Sequence, residues 1–295
     1  MFKFLLYPAS WLYKMAVLFR HQLFDWGILH SEKFDIPVIC IGNITVGGTG
    51  KTPLAEMIVD YMSQTHRVAL LSRGYGRRTK GYREVAATDH YRDVGDEPLQ
   101  IKRKFPDVCV VVCERRADGI RRIRTEHPEV DLIVMDDGFQ HRYVEAKINV
   151  VLIEAAYQNI YFTRMEAFRP QPVFGEAPAE GFDPGTEVIL MSGIGNPAQF
   201  VRGASACYRV VGELRFEDHH VYRVKDLKTL AGLIAQHPAA MVLTTEKDAV
   251  KLAGRGKVPA EIRSRLFYQP INISFIDDSA TDFLQNLEKD VKSDS

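Results

Sequence analysis

Apolar runs and helical stretches alternate along the first 153 residues. Strands that are apolar at nearly every position are buried on both faces, so this alternation predicts a parallel sheet covered by helices on both sides. The predicted strands are residues 37–41, 68–71, 108–113, 132–135 and 149–153, and the predicted helices are 52–62, 98–104 and 117–126.

Residues 155–185 interrupt this alternation, because four prolines and three glycines fall there. The pattern then resumes, which predicts an α/β core over residues 31–180 and a smaller α/β lobe over residues 181–295. In the lobe, the predicted strands are 187–191, 209–214, 241–244 and 271–275, and the predicted helices are 197–201, 225–236 and 246–252.

The N-terminal segment, residues 1–30, has a different pattern. It contains both tryptophans and six other aromatic side chains within residues 1–29, interrupted by basic residues. Its longest uncharged run, residues 4–13, is shorter than the about 20 residues that a helix needs to span a bilayer. Interleaved aromatic and basic residues are typical of an amphipathic helix at a membrane interface. The alternative is a helix packed on its own domain.

Composition narrows the possible functions. The 38 basic and 38 acidic side chains give a formal net charge of zero, so bulk electrostatic binding of nucleic acid is not supported. No protein partner is indicated either. Cys109 and Cys113 are four residues apart, but no second pair of cysteines or histidines completes a zinc pattern. The four cysteines therefore indicate reduced thiols in a cytosolic protein.

A glycine-rich segment, residues 42–53, follows the first predicted strand and opens the first predicted helix. Glycines let backbone N–H groups converge on phosphate oxygens, and the helix N-terminus adds a positive dipole end. Lys51 is expected to reach the β- and γ-phosphates, and the Thr52 hydroxyl to bind Mg²⁺. The general pattern has glycine where Thr45 stands. The residues expected to bind nucleotide are Thr45, Val46, Gly47, Gly48, Thr49, Gly50, Lys51 and Thr52.

Two acidic segments accompany this loop. Asp136 and Asp137 directly follow the strand 132–135, where a carboxylate beside a phosphate loop can hold Mg²⁺ or its water. Asp96 and Glu97 precede Pro98, so Glu97 is expected to be extended. A carboxylate here can accept the proton of an attacking hydroxyl. The alternatives are a turn at the aspartate pair and a helix start capped by Asp96.

The remaining polar segments are open to more than one interpretation. The loop 72–78, rich in Gly, Tyr and Arg, suits an anionic substrate but also fits a solvated basic loop, as does the pair Arg115 and Arg116. His219 and His220 follow an aspartate, but no further ligand at the right spacing supports a metal site. Thr245 is a natural helix cap, with residues 246–248 filling the first turn.

Together these segments resemble the tetraacyldisaccharide 4'-kinase family, the lipid A 4'-kinases of Gram-negative bacteria. The similarity rests on residues 42–53, 72–77, 95–98, 136–142, 216–222 and 244–248, in family order. It implies a P-loop NTPase-like α/β fold with a smaller C-terminal lobe. It also implies transfer of a phosphoryl group from ATP, with Mg²⁺, to the 4'-hydroxyl of a tetraacyldisaccharide 1-phosphate. Residues 1–29 would contact the cytoplasmic face of the inner membrane.

The resemblance also assigns roles to residues. Asp96 would be the base for the sugar hydroxyl, oriented by His141, and Lys51 would clamp phosphates. One of His219 and His220 would reach across from the smaller lobe to the nucleotide. The implied metal residues are Thr52, Asp136, Asp137 and Glu97, and the implied substrate residues are Arg73, Tyr75, Arg116 and Gln140. Thr45 also belongs to the family's version of the loop.

One alternative stays open at this point. A membrane-associated switch NTPase would use the same loop and aspartates, but it would not need Asp96 together with His141. The family usually has a Gly-Leu-Arg-Glu type segment between the lobes, and residues 168–176 do not match it.

Overall fold

The computed structural model describes most of the chain. The described residues are 15, 19, 22–24, 26, 28–43, 50–138, 143–152, 161, 163–175, 182–254, 258–275 and 279–293. Most of the predicted membrane-interface helix lies outside these residues. No helix in the described part is long and apolar enough to cross a membrane.

The first sheet has six strands, with all pairings parallel except that of the short edge strand with its neighbour. The strands are β1 (Val38–Asn43), β2 (Val68–Ser72), β3 (Arg83–Glu84), β4 (Cys109–Val112), β5 (Leu132–Met135) and β6 (Ile148–Leu152). Their order across the sheet is β3-β4-β2-β5-β1-β6. All five strands predicted for this part of the chain are present. The unpredicted β3 is two residues long, too short for a pattern of its own.

Helices cover both faces of this sheet. They are α1 (Lys51–Met62), α2 (Tyr91–Val94), α3 (Asp96–Lys104) and α4 (Arg116–Glu126). Leu70 packs in the core that contains Ile58 of α1, whereas Leu71 packs in the core that contains Ile120 of α4. Successive strand residues point to opposite faces, so both must be apolar here. This explains the continuous apolar runs and confirms the predicted α/β class.

Helix α3 begins earlier than predicted, and the extended conformation expected for Glu97 is wrong. Asp96 is the first helical residue, and Gly95 is the residue that precedes the helix. Pro98 is in the first turn, where its missing N–H would have no intrahelical partner, so proline does not break the helix there. The Asp96 side chain therefore stands at a helix N-terminus.

The second sheet has five strands in the order β10-β9-β11-β12-β8, parallel except at β8. Its strands are β8 (Gln171–Pro172), β9 (Glu187–Ser192), β10 (Arg209–Arg215), β11 (Met241–Thr245) and β12 (Leu266–Gln269), and its helices are α5 (Ala198–Cys207), α6 (Val224–Gln236), α7 (Glu246–Ala253) and α8 (Ala260–Arg263). Helix α5 runs past the predicted residues 197–201. The Thr245 side chain accepts a hydrogen bond from the Asp248 backbone N–H, which confirms the predicted cap.

The end of the chain returns to the first sheet. Strand β7 (Thr163–Ala167) pairs antiparallel with β13 (Ile271–Phe275), and α9 (Ala280–Lys292) follows. Ile273, Leu287 and Val291 pack in the same core as α1. Chain contacts therefore cross the predicted division at residue 180 in both directions, since β8 joins the second sheet although it precedes that position.

Candidate active site

The carboxyl ends of β1, β2 and β5 meet at one edge of the first sheet because these strands are parallel. Lys51, at the start of α1, reaches this edge. Its Nζ donates to Asn43 Oδ1 at 2.9 Å and lies 3.1 Å from Asp137 Oδ1. Gly50, before the helix, has φ +84°, a left-handed conformation that glycine adopts readily. The predicted phosphate-binding residues Thr45, Val46, Gly47, Gly48 and Thr49 lie outside the described residues.

A cavity of about 920 Å³ lies between the two sheets and contains most of the predicted site residues that the structure describes. We call the first sheet with its helices the first unit and the second sheet with its helices the second unit. The first unit contributes Gly50, Lys51, Thr52, Tyr75, Glu97 and Asp137 to the cavity lining. The second unit contributes His219 and Lys247. The structure therefore brings together side chains that are more than 150 residues apart in the sequence.

Asp136 is a buried carboxylate whose negative charge is only partly balanced by the described residues around it. It is 2% exposed, and its Oδ1 has no hydrogen-bond partner. Burial and the charges of Glu97 and Asp137 raise the pKa of Asp136 to about 7, and Lys51 and Arg116 offset this only in part. The ionised form of Asp136 is therefore poorly stabilised by the described residues around it.

Arg116 does not face the cavity as its predicted substrate role requires. It is 2% exposed, and its guanidinium donates to the carbonyl oxygens of Cys113 at 2.6 Å and Asp136 at 3.4 Å. A buried arginine that donates hydrogen bonds to backbone carbonyls helps to fix the positions of the strand ends. Its position supports an indirect role, in holding Asp136, in place of a contact with substrate.

Asp96 joins the two units. His219 Nδ1 lies 3.1 Å from Asp96 Oδ2, and the ammonium groups of Lys251 and Lys247 lie 3.7 and 4.0 Å from the same oxygen. Burial by itself raises the pKa of Asp96, but the hydrogen bond from His219 and the two lysine charges outweigh it and lower the pKa to about 2. Asp96 is therefore ionised at neutral pH.

Lys247 and Lys251 were not identified by the sequence patterns. They are four residues apart on α7 and so lie on one face of the helix. Lys247 Nζ also binds Glu97 at 3.0 Å, whereas Lys251 pairs with Asp248 at 2.8 Å. The residues around Thr245 carried only a helix-cap signal, and no local pattern indicates a contact with a helix 150 residues earlier.

The two histidines have different surroundings. His219 faces the first unit and lies against the ring of Tyr75, with ring centroids 4.7 Å apart. His220 Nε2 lies 3.0 Å from Asp226 within the second unit, and its ring stacks on Phe216. Of the pair, His219 therefore makes the contact across the cavity. Whether it reaches a nucleotide stays a prediction.

The other predicted substrate residues are only partly described. Arg73 is exposed at the end of β2, and Tyr75 is 62% exposed at the cavity rim. Gln140 and His141 lie outside the described residues.

Gly95 allows the Asp96 segment to approach the loop after β2. Its φ is +96°, and a Cβ there would lie 3.0 Å from Gly74 Cα. Gly95→Ala is therefore expected to destabilise the protein by about 1–3 kcal/mol. Because the resemblance assigns the base to Asp96, a shift of this side chain is also expected to lower kcat by up to about 100-fold. Thermal unfolding and steady-state kinetics measure both effects.

Gly81→Ala is the matched control. Gly81 also has a positive φ, +76°, but no atom lies within 4 Å of a Cβ built there. The Gly81→Ala variant is therefore expected to have backbone strain but to keep the wild-type kcat. If Gly95→Ala behaved like Gly81→Ala in both measurements, the close approach to Gly74 would not matter.

The raised pKa of Asp136 makes stability depend on pH. Between the ordinary value of 3.8 and the folded value of about 7, the folded state keeps a proton that the unfolded state loses. The free energy of unfolding therefore falls as pH rises through this window, by up to about 4 kcal/mol. Asp136→Asn is expected to be more stable than wild type at pH 8 without divalent ions, and by less at pH 5.

Thermal unfolding at the two pH values measures this gain. Asp60→Asn, on the exposed face of α1, controls for the loss of a carboxylate as such. A Tm of Asp136→Asn below that of wild type at pH 8 would contradict the account. Added Mg²⁺ is expected to raise the Tm of wild type more than that of Asp136→Asn.

The fold and the site define an α/β phosphotransferase, with a lysine at a helix N-terminus, paired aspartates after the neighbouring strand, and a buried carboxylate held by a histidine. A comparison with family models then identifies the particular group. The model described as "LpxK: Tetraacyldisaccharide-1-P 4'-kinase" matches residues 2–163 and 163–291. The chain belongs to this family of tetraacyldisaccharide 4'-kinases.

Individual relatives agree with the family match. The chain is 35% identical to the tetraacyldisaccharide 4'-kinase of Parabacteroides distasonis, over 98% of this chain and 95% of the relative. It is 32% identical to that of Phocaeicola vulgatus, over 98% and 95%. These matches confirm the resemblance that the motifs indicated. They also confirm the prediction of a lipid A biosynthesis kinase and exclude the alternative of a switch NTPase.

A solved structure supports the fold. The chain is similar to the crystal structure described as the "apo" form of LpxK from Aquifex aeolicus in complex with ATP, with a TM-score of 0.72. The match covers 99% of this chain and 100% of that one, at 24% sequence identity. At this identity the likeness establishes a shared architecture.

Proposed function

We propose that this kinase transfers the γ-phosphoryl group of ATP, with Mg²⁺, to the 4'-hydroxyl of a tetraacyldisaccharide 1-phosphate, and that Asp96 is the base. One observation carries the proposal: the Asp96 carboxylate is ionised and held by His219 beside the cavity that Lys51 and Asp137 also line. A hydroxyl acceptor needs a base there, and the phosphate donor needs the lysine.

The nucleotide phosphates bind at the start of α1. Lys51 and the helix N-terminus place positive charge where the β- and γ-phosphates would lie. The ion pair of Lys51 with Asp137 holds the ammonium at this edge of the sheet. The Aquifex aeolicus protein of the same fold was crystallised in complex with ATP, which supports ATP as the donor.

The residues near Asp136 fit Mg²⁺. Thr52, Glu97, Asp136 and Asp137 all offer oxygen donors, which Mg²⁺ prefers. The unpartnered Oδ1 of Asp136 and its raised pKa both indicate negative charge that a divalent cation would balance. With Mg²⁺ bound, charge on the β- and γ-phosphate oxygens is neutralised.

Asp96 accepts the proton of the 4'-hydroxyl as that oxygen attacks the γ-phosphorus. His219 orients the carboxylate, and Lys247 and Lys251 keep it ionised. The family resemblance implied the orienting role for His141, which lies outside the described residues. We assign it to His219, because its imidazole contacts Asp96 directly.

The sugar and its 1-phosphate approach over the loop after β2. Arg73 and Tyr75 are exposed there, and both suit an anionic sugar phosphate. Gln140 remains a candidate for the same side of the site.

We further propose that residues 1–29 hold the enzyme at the cytoplasmic face of the inner membrane. Four described side chains in this segment are large, apolar and exposed: Met15 by 46%, Phe19 by 59%, Trp26 by 62% and Ile28 by 61%. Phe24 instead packs edge-on against Tyr143, with ring centroids 4.9 Å apart. One side of the segment thus contacts the protein and another is free to enter lipid.

Deletion of residues 1–29 is expected to weaken flotation with anionic liposomes and to leave nucleotide binding intact, because none of the described residues of this segment lines the cavity. Phe19→Ser with Trp26→Ser is expected to weaken flotation in the same direction. Val224→Ser, which removes an exposed apolar side chain from the start of α6, is the matched control. Equal flotation of the deleted and intact proteins would remove the membrane proposal.

Transfer of labelled phosphate tests the function. The full chain is incubated with γ-labelled ATP, Mg²⁺ and a tetraacyldisaccharide 1-phosphate, and the labelled lipid is separated. Label at the 4'-position that depends on Mg²⁺ is expected. Hydrolysis of ATP without transfer to the lipid would contradict the proposal.

A further inference from the structure

A second group of potential ligands lies away from the cavity. Strand β3 forms the edge of the first sheet, and Glu84 on β3 pairs in register with Val111 of β4. Cys109 is the first residue of β4, and His127 caps the C-terminus of α4. The candidate active site is at the carboxyl ends of the parallel strands. Cys109 is at the amino end of β4, so it lies on the side of the sheet away from that site.

The ligand atoms of these three residues converge. The carboxylate of Glu84, the thiol of Cys109 and the imidazole of His127 place one donor atom each within 4.8 Å of one another. Among the residues that the structure describes, this is the one group of at least three His, Cys, Asp or Glu that meets this criterion. Ligand bonds of about 2.0–2.3 Å to one tetrahedral ion require the donors to close in by only about 1 Å.

The imidazole is already oriented for binding. Its Nε2 lies 3.2 Å from Glu84 Oε2, and its Nδ1 lies 3.4 Å from Glu129 Oε1. A carboxylate that accepts from one ring nitrogen fixes the ring and leaves the other nitrogen to bind a metal, as in many zinc sites. Glu129 would be this supporting carboxylate.

The local charge favours a cation. Glu84, Glu126 and Glu129 all act electrostatically on the Cys109 thiol, and Lys102 acts in the opposite direction. Glu126 is itself paired with Arg122, so the negative charge available to a cation is that of Glu84 and Glu129. The Lys102 ammonium donates to the carbonyl oxygens of Pro106 and Val108, at 2.8 and 2.9 Å. Its position is therefore set by backbone contacts, and the acidic side is left to attract a metal ion.

We propose that Glu84, Cys109 and His127 form a binding site for a zinc-class divalent cation, with Glu129 orienting the histidine. Thiolate, imidazole and carboxylate are the donors that Zn²⁺ takes, and three protein ligands leave a fourth position for water. On binding, the Cys109 S–H bond breaks, a bond from sulfur to metal forms, and one proton passes to solvent.

A metal ion bound here would stabilise β3, the short strand at the edge of the first sheet. Strand β3 has two residues and pairs only with β4 among the described strands. A metal bound to β3, β4 and the end of α4 would tie together three elements that meet at this corner. The expected role is therefore structural, at a distance from the reacting phosphates.

Cobalt absorption tests the site, because a thiolate bound to Co²⁺ gives a charge-transfer band that carboxylate ligands do not give. The full chain, first stripped with a chelator, is titrated with Co²⁺. A band that saturates at one equivalent and is displaced by Zn²⁺ is expected. Co²⁺ bound by Asp136 and Asp137 would not produce this band, so the two sites are distinguished.

Variants assign the ligands. Cys109→Ser is expected to lose the band, and His127→Gln to weaken Co²⁺ binding by at least about 10-fold. Glu129→Gln is expected to weaken it by about 10–100-fold, as other supporting carboxylates do. Cys207→Ser removes an exposed free thiol, and His66→Gln removes a histidine that also contacts a carboxylate. Both are matched controls and are expected to keep the band.

Two results would overturn the proposal: absence of the band in wild type, or its persistence in Cys109→Ser. If Cys109→Ser did not fold, His127→Gln would decide, since full-strength binding in that variant would exclude the site. Zn²⁺ at about 100-fold over the wild-type Kd is also expected to raise the wild-type Tm by about 5 °C and to raise that of His127→Gln by about half as much or less.

Discussion

Asp96→Asn is expected to lower kcat by about 10²–10⁴-fold, with little change in the KM for ATP. Asparagine keeps the shape of the side chain but cannot take the proton of the 4'-hydroxyl. The ATP phosphates bind at Lys51, on a different element, so nucleotide affinity should persist. Initial rates of labelled lipid formation at varied ATP measure both constants.

Stability must be measured in the same variant. The lowered pKa of Asp96 means that its ion pairs stabilise the folded state above the ordinary value of 3.8, and that this stabilisation is lost as pH falls toward about 2. At neutral pH, Asp96→Asn removes this contribution and leaves the buried Lys251 with one carboxylate fewer. A lower Tm is expected, so rates are compared well below it.

Asp93→Asn is the matched control, since Asp93 is three residues earlier and pairs with Arg78 at 3.1 Å outside the cavity lining. It is expected to keep the wild-type rate. His219→Gln is expected to lower kcat without a matching change in KM, because it disturbs the orientation of the carboxylate. An undiminished kcat in Asp96→Asn would refute the assignment of the base.

Lys51→Met is expected to lower kcat/KM for ATP by at least about 10²–10³-fold, because a cation aimed at charge on the transferring phosphate is lost. Methionine preserves most of the side-chain volume. Lys51 is 26% exposed and Asp137 59% exposed, so loss of their ion pair is expected to cost no more than about 1 kcal/mol of stability.

Lys33→Met, at an exposed position outside the cavity lining, is the matched control. Nucleotide binding by calorimetry and label transfer separate affinity from rate. Wild-type kcat/KM in Lys51→Met would show that the phosphates bind elsewhere. Loss in Lys33→Met as well would point to a general effect of charge.

The residues around Asp96 show which features of the site can be predicted from local sequence patterns. The segment 95–98 was compatible with a base or a helix start, and the start of α1 predicted a phosphate site, because both interpretations depend on residues that are neighbours in the sequence. The partner of the base did not follow from such a pattern. The resemblance implied His141, which lies outside the described residues, and the structure places His219 of the second unit 3.1 Å from Asp96.

Arg116 and Glu97 show two other limits. Arg116 follows a strand end, as a substrate-binding arginine often does, but its burial depends on how α4 packs over β5. Glu97 was expected to be extended because proline follows it. Glu97 is helical because it and Pro98 are in the first turn of α3, where proline is tolerated. The preference of a residue before proline for an extended conformation does not take the position in a helix into account.

By itself, the sequence determined the α/β class, five of the six strands of the first sheet and the kinase family. These depend on periodicity and on short motifs, in which the interacting groups are close along the chain. Only the tertiary structure decided that His219, Lys247 and Lys251 surround Asp96, that Arg116 is buried, and that α9 packs on the first core. Contacts between distant segments depend on how whole sheets and helices pack, and no local pattern encodes that packing.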